Sequence, residues 1–256
     1  MIKLTKTVQE LGNGGHIYLP KELIGQQVVV IATKSEEEIR KEVLNILFPY
    51  LSHVKGVYLH GSYARGEQTP ESDIDILVVA DKKLSIDCRV GRYDITTTTL
   101  EGIKKTIDKN APLILPMVKE AKAIINDSLI DWLRKEKITK KNIKWYVETT
   151  GSALKVVEIL VGDEMKSSIP NIVYTLMLRL KGLLSIKLLK EGRGYSNKAL
   201  FQYLAGNGIE EGKELYHIYS ITRDRKRIHY ELDDYSEISK LLKLTKILLK
   251  EVKKYG

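Results

Sequence analysis

Two carboxylates one residue apart, Asp73-Ile74-Asp75, open an apolar run that continues to Ala80. A Gly-Ser pair, Gly61-Ser62, ends an earlier apolar run that begins at Val54. Alternation along a strand puts Asp73 and Asp75 on one face and Ile74 and Ile76 on the other. Two hard oxygen ligands on one face suit Mg²⁺, which takes one or two carboxylates and lets substrate phosphate oxygens complete its octahedron. Backbone N–H groups freed at a glycine turn can cradle phosphate, helped by the N-terminus of a following helix. Strand, Gly-Ser turn, polar bridge and alternating carboxylates form the layout needed to hold a nucleoside triphosphate and its metal.

These residues need elements to position them. The spacing predicts a helix over 35–52: Ser35 can cap it, Glu36, Glu37 and Glu38 favour its N-terminal dipole, and Ile39, Val43, Leu47 and Leu51 recur every fourth position. Strands are expected at about 54–60 and 73–80. The run Arg89-Val90-Gly91-Arg92-Tyr93-Asp94-Ile95-Thr96-Thr97-Thr98-Thr99 reads as a third, rich in β-prone threonine. This mixed α/β part is expected to span 35–130. From about 138 to 256 the pattern is helical throughout, with segments near 139–161, 168–190, 196–205, 210–228 and 234–254 separated by Gly and Pro breaks. The first 33 residues are short apolar runs around Gly12-Asn13-Gly14-Gly15, read as a small β element with one helical turn near Lys21–Ile24. The expected fold class is therefore α+β: a mixed sheet with helices, then an all-α bundle, preceded by a small β element.

Composition narrows the setting. The 256 residues carry a net charge of +9, all of it in the second half. Residues 1–130 hold 17 basic and 17 acidic side chains, and residues 131–256 hold 25 and 16. A basic domain beside a neutral one points to an anionic partner, nucleic acid first, with a lysine-rich solvated surface as the alternative. No apolar run nears the ~20 residues of a membrane helix. The start MIKLTKTVQE lacks a signal-peptide core, and the one cysteine, Cys88, cannot form an internal disulfide, so a cytoplasmic protein is expected. Cys88 reads as a small strand residue rather than a nucleophile, and His60 as a packed strand residue rather than a catalyst.

The stretch Gly61-Ser62-Tyr63-Ala64-Arg65-Gly66-Glu67-Gln68-Thr69-Pro70-Glu71-Ser72-Asp73-Ile74-Asp75-Ile76-Leu77-Val78 resembles the signature of the minimal nucleotidyltransferases of the DNA polymerase beta superfamily. Tyr63 departs from it, standing where a basic residue is common. The resemblance implies that Asp73 and Asp75 ligate Mg²⁺ and that Gly61, Ser62, Arg65 and Ser72 bind the triphosphate. It also implies a third carboxylate from a later strand, for which Asp94 is the natural match and Asp87 the weaker one. Arg65 could contact phosphate or pair with Glu67. The implied reaction is transfer of a nucleoside monophosphate, AMP from ATP, to an acceptor hydroxyl.

Two shorter resemblances flank this one. Gly12-Asn13-Gly14-Gly15-His16-Ile17-Tyr18-Leu19-Pro20-Lys21-Glu22-Leu23-Ile24-Gly25 is similar to the AbrB-like swapped-hairpin pattern, which implies a homodimer through residues 1–33. Arg223-Asp224 followed by His229 resembles the motif of HEPN domains, whose ribonucleases pair Arg and His across a dimer; the alternatives are a basic helix lining the nucleotide cleft or a solvated face. In related toxin–antitoxin systems the nucleotidyltransferase adenylylates a tyrosine of the HEPN partner, which makes Tyr230 a candidate acceptor here. Other readings are an RNA end or a small molecule as acceptor, or a non-catalytic DNA-binding regulator.

Overall fold

The structure is a computed structural model that describes residues 4, 6, 8–30, 32–70, 72–162, 169–225 and 235–255. It comprises two compact units, Met1–Lys34 and Ser35–Gly256. The fold is α+β, as expected.

In the first unit β1 (Gln9–Leu11) and β2 (Gly14–His16) pair antiparallel as a hairpin. Gly12 supplies the positive φ, +57°, that its tight turn requires. A single 3-10 turn follows at Lys21–Leu23, where the helical turn was expected. Val28, Val29 and Val30 join no ladder.

The second unit begins with α1 (Glu36–Leu47). The Ser35 hydroxyl accepts from the Glu38 N–H, and the Glu38 carboxylate accepts from the Ser35 N–H. Ile39, Val43 and Leu47 are buried, but the helix stops short of residue 52. Pro49 lacks the N–H that would continue the ladder, and the chain tightens into a 3-10 turn over Phe48–His53.

Next come β3 (Val54–His60), the short α2 (Gly61–Arg65) and β4 (Ile74–Ala80). The expected third strand is a hairpin instead. Gly91, at φ +60°, turns β5 (Arg89–Val90) back onto β6 (Tyr93–Thr99). Cys88 lies exposed at the bend before β5 rather than on a strand. After α3 (Leu100–Glu120) comes β7 (Lys122–Ile125), which completes a sheet of order β5-β6-β4-β3-β7. Its β4–β6 pair is parallel and the others are antiparallel. Arg40 of α1 donates to the Ala123 and Ile124 carbonyls of the edge strand β7. Thr99 caps α3, which breaks at Asn110 (φ −155°, ψ 65°) ahead of Pro112, whose ring could not fit an unbroken turn.

The remaining helices are α4 (Asp127–Leu133), α5 (Lys140–Gly162), α6 (Ile169–Lys190), α7 (Asn197–Gly206), α8 (Gly212–Arg223) and α9 (Tyr235–Val252). Each of α5 to α9 overlaps an expected segment. α6 is apolar nearly all round, which makes it the central helix, and α5, α8 and α9 pack on it.

The sheet divides the core. One face, with Val57, Leu59, Ile74, Ile76 and Val78, buries α1. Tyr58, Leu77 and Val79 on the other face share a core with α3 and the bundle. That second core also contains Ile130, so apolar packing is continuous across residues 130–138. Among the described residues no helix is long and apolar enough to cross a membrane.

Candidate active site

Strand alternation assigns the candidate carboxylates to the side of the sheet that faces α3 and the bundle. Ile74 and Ile76 are fully buried against α1, so Asp75 shares the opposite face with Leu77 and Val79. In the parallel β4–β6 ladder Asp75 stands directly beside Asp94, and in the antiparallel β3–β4 ladder it faces His60. Asp73 precedes β4 by one residue. Asp87 is exposed and accepts from the Arg89 N–H, so of the two alternatives Asp94 is the one beside Asp75.

Burial pushes the Asp75 carboxyl up to about 6, and repulsion from Asp94 and Asp73 adds to the shift while Arg65 opposes it. His60 is buried, and burial together with the Arg65 charge lowers its pKa to about 4, so it is neutral at physiological pH.

Gly61 shows how tightly the turn approaches these groups. Its φ is +72°, and a Cβ built on it would lie 2.0 Å from Asp75 Oδ2. Only glycine fits there. Its N–H donates to Glu120 Oε1 at 2.8 Å. Arg65, at the end of α2, donates through Nη1 to the other Glu120 oxygen at 2.7 Å and through Nε to Glu67 at 2.9 Å. The Arg65–Glu67 pair, one of the two readings of Arg65, is present, and Glu120 is a second partner. Burial pushes the Glu120 carboxyl up, against the opposing effects of Arg65 and the Gly61 amide.

Ser62 is half-buried in the first turn of α2, and its carbonyl accepts from the Glu67 N–H. The Ser72 hydroxyl accepts from the Thr69 N–H at 2.8 Å and so closes the turn that delivers Asp73. Tyr63 is buried in the α1-side core, which accounts for an aromatic residue at this point of the motif.

Sequence reasoning missed Glu120 and the helix that carries it. Pro112 and Pro116 mask the 3.6-residue period of Ile103, Ile107, Ala111, Leu115 and Val118. The available signal was an acid at a helix C-terminus, where the dipole disfavours it unless a partner holds it.

A divalent cation suits this carboxylate set on chemical grounds: Asp75 and Asp94 are adjacent hard ligands, and their repulsion is what positive charge would relieve. Among the described residues, no group of three or more His, Cys, Asp or Glu is set to hold a metal by itself. Substrate oxygens would have to complete the shell.

In the bundle, Arg223 closes α8 and donates through Nε to Asp224 at 2.8 Å. His229 and Tyr230 lie outside the described residues. A cavity of about 580 Å³ lined by Phe201, Ala205, Ile209 and Glu210 to Glu214 contains none of the candidate residues.

Residues 36–147 match the family profile of the nucleotidyltransferase domain. A protein of Methanocaldococcus jannaschii provisionally named a protein adenylyltransferase is 52% identical over 48 residues, which are 18% of this chain and 48% of that protein. The chain thus spans about half the length of that relative. Among solved structures, a spectinomycin adenyltransferase from Enterococcus faecialis, determined with ATP and spectinomycin, aligns over 85% of this chain and 100% of its own at 14% identity and a TM-score of 0.47. A toxin–antitoxin structure with AMP-PNP aligns over 47% of this chain and 97% of its own, at 18% identity and a TM-score of 0.30. The profile match spans β3 to β6 and both aspartate strands.

Proposed function

We propose that the chain transfers AMP from ATP to an acceptor hydroxyl, with Mg²⁺ held by Asp75 and Asp94 and approached by Asp73. The observation that carries this reading is the parallel register setting Asp94 beside Asp75, under a turn where only glycine fits. Bound there, the cation would neutralise the carboxylates and polarise the α-phosphate. The protein's own groups supply position and charge. Gly61 lets the backbone approach, Ser62 offers a hydroxyl and amide to the phosphates, Arg65 adds a cation, and Ser72 holds Asp73 in place. The acceptor oxygen attacks the α-phosphorus and forms the new O–P bond as the bond to the oxygen bridging to the β-phosphate breaks. Pyrophosphate leaves, and the hydroxyl proton passes to Asp94. Positioning and charge neutralisation provide most of the acceleration in such a transfer.

The relative's name supports a protein acceptor, and Tyr230 is the candidate in this chain. The test is intact mass after incubation with Mg²⁺ and each nucleoside triphosphate, beside Asp75→Asn. An increment of one nucleoside monophosphate in wild type only, lost in Tyr230→Phe, is the expected result. No increment with the triphosphate still bound would move the acceptor to RNA or a small molecule. Absence of binding would sink the reading.

A homodimer through residues 1–33 is part of this proposal. Ile24 is 77% exposed, Val29 88% and Leu11 66%, more apolar surface than a 34-residue unit should leave to water. Replacing Ile24 and Val29 with Asp in the full chain should convert a dimer to a monomer in sedimentation. An unchanged mass would place any dimer contact elsewhere.

A further inference from the structure

From the end of α4 into the first turns of α5 the chain gathers charge chiefly of one sign. Residues 134–144 hold six basic side chains, Arg134, Lys135, Lys137, Lys140, Lys141 and Lys144, and one acid, Glu136. That is a local excess of five out of the chain's net +9. Arg134 pairs with Asp131, and Lys144 approaches Glu148 at 3.9 Å. Among the described residues Lys135, Lys137, Lys140 and Lys141 join no ion pair, and all four are exposed.

Two features show that this charge is held against its own repulsion. α5 opens on Lys140-Lys141 with no acid in its first turn, although a helix N-terminus is itself positive and favours acids there. The groups that cap it are neutral: the Thr139 N–H donates to Asn142 Oδ1 at 2.8 Å, and the Asn142 N–H donates to Thr139 Oγ1 at 3.3 Å. Lys137 also stands close enough to Lys119 of α3 to act on it. Burial first, then the Lys137 charge, lowers the Lys119 pKa, while Glu136 opposes them.

An exposed indole lies at each end of the stretch. Trp132 on α4 is 40% exposed, with Lys104 Nζ 4.5 Å from its ring centroid. Trp145 on α5 is 54% exposed and follows Lys141 by four residues, so the two share a helix face. An indole beside an ammonium offers a base a surface to stack on and its phosphate a cation. The stretch is also fixed relative to the candidate active site. The Lys119 ammonium donates to the Arg134 carbonyl, and the Arg134 guanidinium donates to the Ala121 carbonyl. These bonds flank Glu120, the acid that holds the Gly61 amide and Arg65.

We propose that this surface binds single-stranded nucleic acid, with Lys135, Lys137, Lys140 and Lys141 along the phosphates and Trp132 and Trp145 as stacking platforms for bases. The repeating phosphates of a strand match a row of unpaired ammoniums. A strand without a complement also leaves its base faces open to an indole, which a duplex does not. The proposal does not rest on the nucleotidyltransferase reading, because it concerns neither the carboxylates nor the Gly-Ser turn.

The test is fluorescence anisotropy of the full-length protein, without nucleoside triphosphate, over a series of KCl concentrations. The labelled probes are oligo(U), oligo(dT) and a duplex, each of about twelve nucleotides per strand, within the span of one single-strand site. A single strand should bind more tightly than the duplex and weaken as salt rises. Preference between oligo(U) and oligo(dT) then names RNA or DNA as the source of the strand. Trp145→Ala should weaken binding by about fivefold or more, the scale of one lost base stack, and Trp132→Ala by a comparable factor. Lys137→Gln combined with Lys141→Gln should weaken binding and reduce the salt slope by about one to two. Both lysines are exposed, so that variant should melt with wild type. If Trp132→Ala melts early, Trp145→Ala and the lysine pair decide. Equal or tighter binding of the duplex overturns the proposal. Single-strand binding that the tryptophan changes leave untouched, or that keeps its full salt slope without the two lysines, also overturns it, as does wild type that binds no strand at low salt.

Discussion

The sheet and the bundle bring opposite charges to one region, and each does so against its own interest. On the sheet, Asp75 is crowded by Asp94 and Asp73, and burial with their repulsion lifts its pKa to about 6. On the bundle, burial and then the Arg223 and Arg65 charges bring the Lys181 pKa down to about 8, and among the described residues no carboxylate is paired with it. Neither wall completes itself, since the carboxylates want a cation and the ammonium wants an anion. Perturbed groups of this kind gather where function asks for them, at a cost to stability.

The comparison breaks most sharply at Asp75. Asp75→Asn should lower AMP transfer by about a thousandfold or more, because a metal ligand and its charge are lost together. The same change should raise the melting temperature by a few degrees, since a buried, repelled carboxylate no longer has to be ionised. Measured side by side, loss of transfer with a lower melting temperature would show that Asp75 serves the fold instead.

Gly61→Ala tests how tightly the turn is built over the carboxylate wall. A methyl group 2.0 Å from Asp75 Oδ2, at a φ of +72°, cannot be accommodated without moving one or the other. The expected cost is on the order of 3 kcal/mol in urea unfolding, with transfer reduced as Asp75 is displaced. Native-like stability and activity together would mean that the turn is looser than its geometry.

A smaller effect separates the two signs within the sheet wall. The His60 pKa is lowered from 6.5 to about 4, so the unfolded chain binds more protons between those values and stability falls as pH drops through that window. Asp75, with its pKa raised, acts in the opposite sense over nearly the same range. In an Asp75→Asn background the His60 contribution should stand alone, a loss on the order of 2 kcal/mol between pH 7 and pH 5. Adding His60→Phe should flatten that slope, and an unaltered slope would assign it to another group.

Much of the sheet wall was legible in the sequence, because its parts are local. The Gly-Ser turn, Asp73 and Asp75 lie within fifteen residues, and the register that brings in Asp94 pairs Ile74-Asp75-Ile76 with Tyr93-Asp94-Ile95. The bundle wall was not, because nothing local joins Lys181 to Tyr195, Tyr216, Tyr219 and Arg65. Their meeting depends on how α6 and α8 pack and on the placement of both against the sheet. Gly91 was equally visible within the predicted third strand, yet four consecutive β-prone threonines outweighed it and the hairpin was read as one strand. Prolines hid α3 and with it Glu120, the acid that holds both the Gly61 amide and Arg65.

The hydrogen bonds from Arg40 to the β7 carbonyls have a consequence for the protein in a crowded solution. An open sheet ends in unspent backbone groups that can template a strand from another molecule, and this sheet has two such margins. At one, β5 is only two residues long and offers little to copy. At the other, the Arg40 guanidinium occupies the Ala123 and Ile124 carbonyls and sets a charge across the approach. A side chain rooted in the first helix thereby discourages neighbouring copies from growing the sheet into a fibril.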